Sequence, residues 1–122
     1  MRLLVVDDSK TMRNILIAYL RGLGSDVSEA DDGQNALNLL ANDIDFDAML
    51  IDWDMPRMNG LELLRQVRSD PRCDAIKTMM VTSQTSMEYV TEALTIGADD
   101  YLMKPLDEEM LAGKLRLLGL LA

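Results

Sequence analysis

The sequence predicts an α/β fold in which five parallel strands alternate with five helices. Three observations lead there. Five short apolar segments recur along the 122 residues: "LLVV" at 3–6, "DVSEA" at 26–30, "AMLID" at 48–52, "TMMVT" at 78–82 and "YLM" at 101–103. Most are continuous rather than alternating, as in strands covered on both faces. The intervals between them carry apolar residues at helical spacing.

The elements run in order. The first strand, Leu3 to Val6, leads into a helix whose Met12, Ile15, Leu16, Tyr19, Leu20 and Leu23 fall at i, i+3, i+4, i+7, i+8 and i+11. Gly22 and Gly24 end it. After the second strand, Gly33 precedes a helix marked by Ala36, Leu37, Leu39 and Leu40. The third strand and the loop "MPRMNG" lead to a helix with Leu61, Leu64 and Val67. Met87, Val90, Ala93 and Leu94 mark a fourth, ended by Gly97, and Leu111, Leu115 and Leu118 a fifth. Strict β–α alternation implies a parallel sheet with right-handed crossovers and helices on both faces.

Composition narrows the function. A chain of this length forms one domain, 1–122, with a real core. Its 21 acids against 12 bases give a net charge of −9, which argues against nucleic acid or an anionic membrane as partner. No run of about 18 apolar residues is present to span a membrane. The start shows no secretory signal pattern. A lone cysteine, Cys73, forms no internal disulfide, and a reduced cytoplasmic setting fits. With no histidine, imidazole acid–base chemistry is absent and a zinc site is disfavoured. The ten methionines are expected as adaptable core filler.

The residues just after each strand carry the chemistry, because open α/β sheets bind ligands beyond the carboxyl ends of their strands. Asp7 and Asp8 come after the first strand, Asp52 and Asp54 end the third, Thr82 and Ser83 the fourth, and Lys104 and Pro105 the fifth. Glu29, Asp31 and Asp32 belong to the second, but an edge strand would carry them away from the centre. Two carboxylates about 4 Å apart repel by roughly 4 kcal/mol at an effective dielectric of 20. Three crowded together call for a proton or a cation. An all-oxygen donor set suits a hard divalent ion, Mg²⁺ before Ca²⁺. The competing explanation is that Asp7 and Asp8 cap the helix beginning near Ser9. One acid suffices for a cap, and the matched acids after the third strand favour the metal.

"LLVVDDSKTMR", "MLIDWDMPRMNGLELLRQVR", "MMVTS" and "GADDYLMKP" together resemble the marker segments of response-regulator receiver domains of the CheY type, across the whole chain and in the right order. The resemblance implies the (βα)5 flavodoxin-like strand order 2-1-3-4-5. It implies that Asp52 is the phosphoacceptor, forming an acyl phosphate. Asp8, Asp7, Asp52 and the backbone carbonyl of Asp54 would hold Mg²⁺. Lys104 would pair with phosphoryl oxygens, Thr82 would supply a hydroxyl and Ser83 a backbone N–H. Tyr101 would switch position together with Thr82. Asp54 and Gln84 would flank the entry to the phosphoryl site, and the Lys104–Pro105 bond would be cis. The implied partners are a sensor histidine kinase or phosphotransfer protein and a downstream target protein, in chemotaxis or a phosphorelay. The chain is expected to be a monomeric switch without an output domain, and not an enzyme beyond its own phosphorylation and dephosphorylation.

Each residue has a plainer role available. Asp52 could end a strand, Thr82 and Ser83 could be turn residues, and Lys104 could be solvated. Gly60 is expected at a helix start where no side chain fits, and Cys73 as a free thiol in a polar loop. The main rival function is enzymatic. "MLIDWDMP" also resembles the nucleophile segment of haloacid-dehalogenase-type phosphohydrolases, with Asp52 and Asp54 as its D-x-D. Those enzymes usually place that strand near the N-terminus, carry further acids after the lysine and need a cap domain or extra length. Here the strand is third and the acid pair lies upstream. A flavin-binding flavodoxin fits less well, because Asp7 and Asp8 would repel a phosphate at the first strand–helix turn.

Overall fold

The structure is a computed structural model and describes residues 1–83 and 86–121. Its strands are β1 Arg2–Val6, β2 Asp26–Ala30, β3 Ala48–Asp52, β4 Lys77–Thr82 and β5 Asp100–Met103. Helices α1 Lys10–Gly22, α2 Gly33–Asn42, α3 Gly60–Ser69, α4 Met87–Ile96 and α5 Glu108–Leu117 alternate with them. All pairs are parallel and the order is β2-β1-β3-β4-β5, so the expected architecture stands.

The continuous apolar strands are explained by two cores. Leu4, Val6, Met49, Ile51 and Met80 face α2, α3 and α4. Leu3, Val5, Leu50, Met79 and Val81 face α1 and α5. Alternate residues of one strand thus serve opposite layers, and both sets must be apolar. Of the methionines, Met49, Met55, Met79 and Met80 fill core, whereas Met87 and Met110 are exposed.

The helical stripes differ in detail from the spacing. α1 buries Leu16, Ile17 and Leu20, leaving Ile15 exposed, because Ile17 completes the face centred on Leu16 and Leu20. α3 buries Leu63 as well as Leu64 and Val67. α4 buries Val90 and Ala93, with Ile96 packed beside them, while Met87 and Leu94 point outward, and Leu39 does the same on α2. Cys73 belongs to a short 3-10 turn, Pro71–Cys73, that tucks the thiol into the core, and burial pushes its pKa up.

A polar staple closes the amino end of β4 and β5. The Arg68 guanidinium donates to the carbonyls of Gly97, Cys73 and Ile76 at 2.9, 3.0 and 2.6 Å. It also reaches Thr78 Oγ1 at 3.0 Å and Asp99 at 3.3 Å. One planar cation from α3 thereby ties together the 3-10 turn, the residue before β4 and the end of α4. It lies at the opposite end of the strands from the acidic residues.

Candidate functional site

At the carboxyl end of the sheet, the central strands β1 and β3 bring Asp7, Asp8 and Asp52 together. One oxygen from each of the three carboxylates lies within 4.8 Å of the other two. Asp7 and Asp52 are buried and Asp8 is exposed. Lys104, entering from the end of β5, donates from Nζ to Asp52 Oδ1 at 2.9 Å and lies 3.9 Å from Asp7 Oδ2. Thr82 is buried at the end of β4, one strand over from Asp52. The Lys104 N–H donates to the Thr82 carbonyl at 2.8 Å. The Lys104–Pro105 peptide is cis, as expected.

The capping explanation for the aspartate pair accounts for only part of what is seen. Ser9 is the N-cap of α1 and accepts from the Met12 N–H at 3.3 Å. Asp7 Oδ1 accepts from the Ser9 N–H at 2.8 Å. That leaves Asp7 Oδ2, a buried carboxylate oxygen without a hydrogen-bond donor, aimed into the cluster. An orphaned buried acceptor among three carboxylates is the arrangement a hard cation completes. The residues present therefore fit Mg²⁺, with Asp7, Asp8 and Asp52 as the holders.

The electrostatics agree. Burial pushes the Asp52 carboxyl from the usual carboxylate range up to about 6, with the Lys104 hydrogen bond pulling the other way and Asp7 adding repulsion. Burial also raises Asp7, partly offset by the Ser9 N–H and Lys104. A folded-state pKa above the unfolded value of 3.8 means the folded chain binds more protons between about pH 4 and pH 6. In chelator, the stability Asp52 lends is present below that window and lost as pH rises through it. The stability difference between Asp52→Asn and the wild type should therefore widen in favour of the variant from pH 4 to pH 6 and stay flat above. Urea unfolding of both proteins across that range checks this.

Other predicted residues are placed less centrally. Ser83 and Asp54 are exposed at the rim. Gln84 lies outside the described residues. Tyr101, on β5, is half-buried, and the Lys114 ammonium of α5 lies 4.9 Å from its ring centroid while bonding Asp100 at 2.9 Å. Trp53, next to Asp52, is buried and meets Tyr89 of α4 edge to face at 5.7 Å.

Gly60 begins α3 where no side chain fits, as expected, and the structure shows what fills the space. A Cβ there would fall inside van der Waals contact with the Asp52 carbonyl oxygen and 2.8 Å from Trp53 Cα, while the Gly60 N–H donates to the Trp53 carbonyl at 2.8 Å. The start of α3 thus rests directly on the backbone at the end of β3. Gly60→Ala should cost about 1–3 kcal/mol in urea unfolding, because a backbone-to-backbone clash has no flexible end to yield. Arg13 escaped the sequence: its Nη1 donates to the Asp7 carbonyl at 2.7 Å and its Nε donates to Glu29 at 3.0 Å. Its only sequence signal is a long cation one turn into the helix after the acids.

Comparison with known proteins decides the family. The response regulator receiver domain family matches residues 3–116. The chain belongs to this family. It is 40% identical over 116 residues to the chemotaxis protein CheY of Pseudomonas aeruginosa, covering 94% of this chain and 93% of that one. To CheY1 of Helicobacter pylori (strain 26695) it is 43% identical, covering 94% of each. The structure superimposes on CheY4 of Vibrio cholerae with a TM-score of 0.89 and 33% identity, covering 95% of this chain and 96% of that one. The chain is thus a CheY-like receiver domain, a signalling switch of the two-component type. Nothing in these matches supports the dehalogenase-type alternative. Among the described residues no helix is long and apolar enough to cross a membrane.

Proposed function

We propose that residues 1–122 work as one receiver unit that accepts a phosphoryl group on Asp52 and presents a changed surface to a partner protein. The observation that carries the proposal is the buried Asp52 carboxylate, held at 2.9 Å by Lys104 and flanked by an unsatisfied Asp7 oxygen. An Asp52 carboxylate oxygen attacks phosphorus. The bond from phosphorus to the donor breaks, and its electron pair leaves with the donor, a phosphohistidine of a sensor kinase or phosphotransfer protein, or a small acyl phosphate. Asp7, Asp8, Asp52 and the Asp54 carbonyl would hold Mg²⁺, which when bound would supply charge neutralisation for the transferred group. Lys104 turns from its carboxylate partner to those oxygens as a compact cation. Thr82 donates its hydroxyl and Ser83 its N–H.

The CheY relatives carry chemotaxis in their names, and chemotaxis signalling in the cytoplasm, by a monomer that binds neither nucleic acid nor membrane, is the reading we favour for this chain. Turnover separates it from a phosphohydrolase. With a small phosphodonor and Mg²⁺, the chain should take up about one phosphoryl group and lose it slowly. Rapid multiple release of phosphate would favour the enzyme.

The output surface is α4, β5 and α5. Phosphorylation draws the Thr82 hydroxyl toward the acceptor, vacating space that the half-buried Tyr101 ring enters. Tyr101→Ala should still be labelled at Asp52 yet lose most of the phosphorylation-dependent gain in target affinity. Titration calorimetry with a target peptide checks this, and a full gain in the variant would reduce Tyr101 to packing.

A further inference from the structure

We propose that Arg13 is a positioning residue for the acidic centre: it fixes the peptide between Asp7 and Asp8 and, through Glu29, ties the edge strand β2 into the site. The inference rests on the proposed magnesium site. Asp7 has both main-chain polar groups engaged. Its N–H donates to the Ala30 carbonyl of β2 at 3.2 Å, and its carbonyl accepts from Arg13 Nη1 at 2.7 Å. Arg13 is in turn oriented by Glu29, on β2, at 3.0 Å, and its side chain is only 12% exposed. The planar guanidinium spans these two partners with separate N–H groups, which an ammonium cannot do in the same plane.

The consequence falls on Asp8. The carbonyl that Arg13 grips belongs to the peptide entering Asp8, so its rotation sets where the Asp8 side chain leaves the backbone. Asp8 is the exposed member of the triad, and unlike Asp7 and Asp52 it lacks a buried shell to place it. The carboxylates of β2 do not reach the centre themselves. Glu29 acts on it at one remove, through the cation.

The effect has a sign that a simple charge argument reverses. A guanidinium beside Asp7 repels an arriving divalent cation, so deleting it should tighten magnesium binding if charge were its only influence. A positioning role predicts the opposite. Titration with magnesium chloride, read by the fluorescence of the single tryptophan, Trp53, and independently by the magnesium-dependent shift in melting temperature, separates the two. Arg13→Ala should weaken magnesium binding about tenfold, within the range for residues that orient metal ligands. Arg13→Lys, which keeps the charge and one donor but not the double reach, should weaken it by a smaller factor. Because charge is conserved there, that variant carries the test even if Arg13→Ala does not fold. Tighter binding in Arg13→Ala, or wild-type affinity in Arg13→Lys, overturns the proposal. A wild-type chain that shows no magnesium response, or one that Asp8→Ala leaves intact, would instead sink the magnesium reading, and this inference with it.

Discussion

Asp52→Ala should abolish labelling by a small phosphodonor while leaving the fold intact, and in chelator it should melt at a higher temperature than the wild type. Both effects come from the same crowding. Asp52 is buried beside Asp7, and the pair shares one cation, Lys104, at 2.9 and 3.9 Å. Removing Asp52 frees Lys104 to serve Asp7 alone and relieves the repulsion that raises Asp52 on top of its burial. Loss of a buried, paired group is ordinarily destabilising by several kcal/mol. Here a second carboxylate remains to compensate the lysine, so the sign reverses, with a gain of about 1 kcal/mol as the expected scale. Circular dichroism melts in chelator measure the stability, and labelling with an acyl phosphate measures the acceptor. Lower stability in the variant would mean that the Lys104 pairing outweighs the crowding.

Asp8→Ala should erase the stabilisation that magnesium gives the wild type. An ion bound only by the folded chain raises its stability by about 2.7 kcal/mol at a hundredfold excess over Kd. The triad places one oxygen from each acid within 4.8 Å, and Asp8 is the member open to solvent. Its loss leaves two buried acids, one of them already bonded to Lys104. Melting curves of both proteins with and without magnesium should show a clear upward shift in the wild type and none in the variant. An equal shift in both would remove Asp8 from the site.

Much of this was legible in the sequence for a physical reason. Strands buried on both faces must be apolar throughout, so "LLVV" and "AMLI" announce themselves, and the residues next along the chain must lie at the sheet's carboxyl edge. The acids, Thr82 and Lys104 needed only that placement. Gly60 was legible as a helix start with no room for a side chain, but what it meets was not. Arg13 and Arg68 were not legible, because each acts through hydrogen bonds to backbone brought near by the fold. Gly60 meets the main chain of Asp52, Arg13 the carbonyl of Asp7, and Arg68 the carbonyls of Gly97 and Ile76. Such contacts depend on tertiary packing and leave no periodic trace. Ile15 and Leu94 misled for a related reason. Spacing identifies a helix, but which residues of a wide apolar stripe face inward depends on what the helix packs against.

The central claim is that the carboxylate buried between Asp7 and Lys104 receives the phosphoryl group. Peptide mapping of the wild-type chain after treatment with a small phosphodonor and magnesium, with borohydride trapping of the acyl phosphate, tests it most directly. The account predicts a single trapped site, at Asp52, in the segment 48–56. Trapping at Asp54 or at any other acid, or phosphate release with no covalent species at Asp52, would contradict it.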